Sequence, residues 1–136
     1  MNVLIPMAGL GSRFLTKGFS VPKPMIDING QPMIIKAIKS LNLPKANYLF
    51  VISKNKFSKN LKKLLNADFS SDFIEIDYIT EGPACSALLF EKKINNEKEL
   101  IIANCDQIME WNANQFLLNA RQYDGLVVTY HETNER

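Results

Sequence analysis

With 136 residues, 46% of them hydrophobic, and only 6 glycines and 6 prolines, the chain has the apolar content of one packed domain; disorder, collagen-like repeats and a charge-driven tail are excluded. Its 16 Lys and Arg against 14 Asp and Glu leave a net charge of +2, so a broad basic face for nucleic acid gains no support. Two cysteines, Cys85 and Cys105, are too few for a disulfide framework; with no signal peptide, lipidation motif or apolar run of membrane length, a cytoplasmic protein is expected, without a membrane partner.

Asn2 to Pro6 is a short apolar run closed by a turn-former, and Tyr48 to Ile52, Leu100 to Ala103 and Leu126 to Tyr130 repeat it. Continuous apolar runs predict strands buried on both faces, as in a parallel sheet covered by helices. Phe73 to Ile79 alternates instead, which predicts a strand with one wetter face near the sheet edge. Between these runs, apolar residues at three- and four-residue spacing predict helices: Ile34 to Leu41, Phe57 to Leu65, Ala84 to Leu88, and a last one from about Asn112 to Tyr123. Strands alternating with helices imply an α/β sheet with right-handed crossovers. Lys54, Lys56, Lys59, Lys62 and Lys63 are expected on the solvated face of an amphipathic helix, His131 on a strand, and both cysteines in packing roles.

The segment from Met7 to Met25 breaks this rhythm, with three glycines, two prolines and no clean periodicity. Long loops inside compact domains are usually functional, and this one leaves the first strand, where doubly wound sheets place their ligands. Gly9-Leu10-Gly11-Ser12-Arg13-Phe14 lets backbone amides approach a phosphate without hindrance from Cβ atoms. The dinucleotide fingerprint would need glycine where Phe14 stands, and the phosphate loop of NTPases would need Gly-Lys-Ser/Thr at its end. Instead come Arg13, an always-ionised fork suited to phosphate oxygens, and Lys23, held between Pro22 and Pro24.

Gly9 to Phe14, followed by Pro22-Lys23, resembles the Gly-x-Gly-Ser/Thr-Arg…Pro-Lys signature of the nucleotidyltransferases, the sugar-nucleotide pyrophosphorylases. The resemblance implies their Rossmann-like three-layer α/β/α fold with a mostly parallel sheet. It implies Mg²⁺-dependent transfer of a nucleoside monophosphate from an NTP to a phosphorylated small-molecule acceptor, usually a sugar 1-phosphate, with release of pyrophosphate. Such products serve surface glycans such as capsule polysaccharide. By the same resemblance Ala8, Gly9, Leu10, Gly11 and Ser12 contact the nucleotide, Arg13 the departing pyrophosphate, and Lys23 the phosphates at the reacting centre.

Two later segments fit. Thr80 to Leu88 opens a helix with Gly82-Pro83 and is similar to the family's Gly-x-Ala-x-Ala/Ser element, which makes Glu81 and Gly82 the base-recognition residues. An ionised Glu81 accepts hydrogen bonds, which suits the amino groups of cytosine or guanine and keeps a cytidylyltransferase acting on a non-sugar phosphate open. Asp106 closes the strand Leu100 to Ala103, over the same crevice as the glycine loop, and resembles the family's metal-binding Asp. Capping of the next helix is the competing role for Asp106, although five residues intervene.

Family catalytic domains are longer, with a second metal-binding Asp on a later strand and an acceptor pocket from the later half. Residues 1–136 are therefore expected to be the N-terminal nucleotide-binding part of a single, truncated catalytic domain. That expectation includes exposed apolar surface and association into a homo-oligomer, and it leaves open a nucleotide-binding protein without turnover.

Overall fold

The computed structural model describes residues 1–129, and Tyr130 and His131, with the strand expected there, lie outside them. Strand β1 (Asn2–Met7) buries both of its faces, which is why its sequence is apolar without alternation. The loop after it folds into a one-turn helix, α1 (Ser12–Leu15), and a 3-10 turn over Lys23–Met25. A hairpin that periodicity does not reveal follows, β2 (Asp27–Ile28) against β3 (Gln31–Pro32). Its two turn residues, Asn29 and Gly30, both have positive φ, the combination a two-residue hairpin turn requires. Then come α2 (Met33–Leu41), β4 (Asn47–Ser53), α3 (Ser58–Asp68), β5 (Ser71–Ile76), α4 (Pro83–Leu88), α5 (Glu91–Ile94), β6 (Leu100–Ile102) and α6 (Ala113–Ala120).

The four longer strands form one sheet in the order β5-β4-β1-β6, and all three pairings are parallel. Successive side chains alternate between its faces. Val3, Ile5 and Met7 join Phe50, Ile34, Ile38 and Leu65 on the face covered by α2 and α3. Leu4 and Ala8 join Leu49, Val51, Ala87 and Phe90 on the opposite face, beneath α4 and the start of α5. Burial of each such large side chain contributes about 1.5–3 kcal/mol, and the two clusters lock the register of β1 at the centre.

Three expectations need correction. Leu126 to Thr129 form no strand, and Val127 is 84% exposed, because an apolar run becomes a buried strand only where a neighbour pairs with it. Among the described residues the sheet ends instead at the three-residue edge strand β6, where Ile102 is 60% exposed. Lys54 and Lys56 precede α3 rather than lining it, and Lys62 is tied to Glu75 of β5 at 2.5 Å, so only part of the lysine run is a solvated helical face. Cys85 is exposed, whereas Cys105 packs in the core as expected. Among the described residues no helix is long and apolar enough to cross a membrane.

Candidate functional site

The chain runs from β1 outward through β4 to β5 and then returns to the other side of β1 with β6. Strand order therefore reverses between β1 and β6, and the crevice beyond their carboxyl ends is where such sheets hold ligands. The glycine loop leaves β1 at this crevice and Asp106 follows β6 into it.

Gly11 sits in the left-handed region, with φ 59°, and a Cβ built on it would lie 3.3 Å from Cβ of Lys23. The bare backbone at Gly11 thus serves two ends, turning the chain into α1 and letting Lys23 pack against the loop. Gly11→Ala is expected to lower unfolding free energy by about 1–2 kcal/mol through the left-handed backbone alone, measurable by urea titration. It should also displace Lys23 from the loop.

After α1 the chain closes in a Schellman-type turn. Phe19 N–H donates to the carbonyl of Phe14 at 3.2 Å, Gly18 takes φ 83°, and the Phe14 and Phe19 rings meet edge to face with centroids 5.8 Å apart. Arg13 and Lys17 ride on this turn.

Lys23 is held from both sides. Pro22 and Pro24 restrict its backbone, Met25 N–H donates to the Pro22 carbonyl at 2.8 Å, and Pro24 is buried. Its ammonium donates to Oδ2 of Asp106 at 2.5 Å and lies 5.6 Å from the Phe14 ring centroid. Asp106 is positioned by contacts that no local pattern announces. Ser40, at the end of α2, accepts from Met109 N–H through its hydroxyl at 3.1 Å and from the Trp111 indole through its carbonyl at 3.0 Å. These two bonds and buried Cys105 pin the loop on which Asp106 stands. Asn112, not Asp106, caps α6, accepting from Gln115 N–H at 3.0 Å.

Burial pushes the Cys105 thiol up to about 11, so it stays protonated at pH 8. Iodoacetamide at that pH should therefore add once to the folded protein, at exposed Cys85, and twice after denaturation, as intact mass would show.

Gly11, Ser12, Arg13, Phe14, Lys17, Lys23 and Asp106 line one cleft of about 420 Å³. A second cavity, about 310 Å³, opens on the other side of Lys23, with Gly9, Leu10, Ser53, Lys56 and Phe57 among its walls. Five of the residues singled out in the sequence thus share a cleft, and Gly9 and Leu10 face its neighbour. Ala8 is buried beneath, against the cluster that holds Ala87. Glu81 and Gly82 stand at the entry of α4, as the Gly-Pro signal implies, but line neither cavity. Lys17 and Ser40 were missed, the first because a lone lysine in a turn looks like ordinary surface.

Three cations, Arg13, Lys17 and Lys23, share the cleft with one carboxylate, a charge balance that suits an anion and leaves a single point at which a cation could also sit. Among the described residues no group of three or more His, Cys, Asp or Glu could enclose a metal ion. Asp106 nevertheless fits an ion such as Mg²⁺, which takes one or two carboxylates and completes its shell with water and phosphate oxygens. The Lys23 ammonium already stands on that carboxylate as a substitute cation.

Residues 3–136 match the family model of the MobA-like NTP transferase domain. No curated protein matches the chain. Among solved structures, HddC from Yersinia pseudotuberculosis complexed with GMP-PN superposes with a TM-score of 0.68 at 23% identity, over 88% of this chain and 53% of that one. A nucleoside-diphosphate-sugar pyrophosphorylase from Vibrio cholerae gives 0.65 at 22% identity, over 76% and 47% of the two chains. The inositol-1-phosphate CTP transferase of T. maritima gives 0.65 at 20%, over 77% and 43%. At these identities the likeness establishes the fold, and the chain spans about half the length of these structures.

Proposed function

The chain belongs to the MobA-like NTP transferase family, and from that premise we propose that residues 1–136 are the N-terminal nucleotide-binding part of a catalytic domain. The reaction is transfer of a nucleoside monophosphate from an NTP to a sugar 1-phosphate in the cytoplasm, for surface glycans such as capsule polysaccharide. The observation that carries the reading is the Lys23–Asp106 pair inside a cation-lined cleft at the point of strand-order reversal.

An oxygen of the acceptor phosphate attacks the α-phosphorus in line. The new P–O bond forms as the bond to the bridging oxygen of the β-phosphate breaks, and the electron pair leaves with pyrophosphate. Such chemistry needs positioning and charge neutralisation rather than a protein nucleophile. Gly11 and Ser12 bring backbone close to the phosphates, Arg13 offers paired donors to the departing pyrophosphate, and Lys23 neutralises charge at the reacting centre. Asp106 would hold Mg²⁺, which when bound would screen the phosphate charges. The Lys23–Asp106 pair is partly exposed, 26% and 39%, so separating it costs about 1 kcal/mol or less. Lys23 would thereby be free to move to the phosphates when a nucleotide arrives.

Ala8, Gly9, Leu10, Glu81 and Gly82 complete the nucleotide site in this reading, with Glu81 accepting from a base amino group. A cytidylyltransferase acting on a non-sugar phosphate is the second reading, favoured by the acceptor chemistry of Glu81. Both are tested by following pyrophosphate release with each of the four NTPs and Mg²⁺, against a panel of sugar 1-phosphates and inositol 1-phosphate. Release that needs both an NTP and a sugar 1-phosphate supports the first reading. Release only with CTP and a non-sugar phosphate would replace it, and release with no combination, with NTP still bound, would replace both by a nucleotide-binding protein without turnover.

A further inference from the structure

We infer that Lys17, which lies outside the sequence signature, is a third phosphate-binding cation that reads the outer, pyrophosphate end of the triphosphate. The inference rests on the nucleotidyltransferase reading and adds a specificity residue to it. Lys17 lines the same cleft as Arg13, Lys23 and Asp106, and no ion pair engages it among the described residues. Its position is built rather than incidental. It is the residue before Gly18, whose φ of 83° ends the helical turn, and the Phe14–Phe19 ring contact with the Phe19 N–H bond to Phe14 clamps the turn on both sides of it.

Charge counting gives the cation its use. In the ligand-free cleft Lys23 is committed to Asp106, which leaves Arg13 and Lys17 as the uncompensated charges. With all three cations and the one carboxylate, the cleft carries two net positive charges. A triphosphate that holds one divalent ion carries roughly two net negative charges at neutral pH. The match needs Lys17, because without it the cleft falls one charge short. Within the cleft Lys23 is paired with Asp106 and lies over the Phe14 ring, and Lys17 takes no part in that pair. With the reacting α-phosphate placed at the Lys23–Asp106 pair in the proposed function, the outer phosphates fall to the cations outside that pair, Arg13 and Lys17. Released pyrophosphate would meet the same cation, so Lys17 serves both the NTP and the leaving product.

The test is calorimetric binding of three probes, each with Mg²⁺, to wild-type protein and to Lys17→Gln, Lys17→Arg and, outside the cleft on α3, Lys59→Gln. The probes are an NTP, the matching nucleoside monophosphate and inorganic pyrophosphate. Lys17→Gln is expected to weaken the NTP and pyrophosphate about tenfold and the monophosphate less than twofold, because only the first two carry outer phosphates. Lys17→Arg should recover most of the loss, and Lys59→Gln should bind all three as wild type does. Pyrophosphate binding unchanged in Lys17→Gln, or an equal loss for the monophosphate, would overturn the assignment while leaving the nucleotidyltransferase reading intact. Failure of the wild-type protein to bind any NTP or pyrophosphate would overturn both.

Discussion

Lys23→Met is expected to lower the rate of pyrophosphate release by roughly 10²–10³-fold while the protein stays folded, since a fixed donor aimed at developing phosphate charge typically contributes that much. The separation of activity from stability follows from exposure. The pair that Lys23 makes with Asp106 is open to solvent at both ends and contributes about 1 kcal/mol or less to stability, and methionine keeps the apolar stem that packs against Gly11. A fall in kcat with a melting temperature within a few degrees of wild type would bear this out. Full activity at wild-type stability would remove Lys23 from the reacting centre.

Asp106→Asn should have an effect of the same order, at least 10²-fold, for a different reason. The amide preserves shape and can still meet a neighbour, but it supplies no negative charge, and among the described residues the cleft contains no second carboxylate. Initial rates measured as a function of Mg²⁺ concentration should show both a lower maximum and a higher requirement for the ion, because the carboxylate proposed to hold it is gone. A variant with an unaltered Mg²⁺ profile would show that Asp106 serves only as the partner of Lys23. The variant also loses that partner, so the charge it leaves on Lys23 should raise rather than lower affinity for pyrophosphate in the absence of metal.

Much of the fold was legible for a simple reason. β1 and β4 lie at the centre of a parallel sheet and are buried on both faces, so the apolar run is itself the signal, whereas β6 carries the same kind of run on an exposed edge. The alternating run from Phe73 became β5 only as far as Ile76, and among the described residues that strand does lie at the sheet edge. The same rule misread Leu126 to Thr129, whose apolar character is present without a paired neighbour. The Asn29-Gly30 hairpin escaped periodicity because its strands are two residues long, although that dipeptide is a hairpin signal in its own right.

In the cleft, Gly11, Arg13, Lys23 and Asp106 were recognisable from residue type and spacing, because phosphate and metal chemistry demand unhindered backbone, fixed cations and an oxygen ligand. What holds them was not. Ser40 meets Met109 and Trp111 across 69 and 71 residues of sequence, and contacts of that range leave no local pattern. Lys17 was hidden by the opposite problem, since its setting depends on a turn whose two aromatic rings look like loop residues until they meet.

The most direct test of the central claim is a crystal structure of the protein with an NTP and Mn²⁺, read from the anomalous signal of the metal. The account predicts a metal peak beside Asp106, the triphosphate along Gly11 to Lys17, and the Lys23 ammonium transferred from Asp106 to phosphate oxygens. A nucleotide bound elsewhere, with Lys23 still paired to Asp106 and no metal between them, would contradict it.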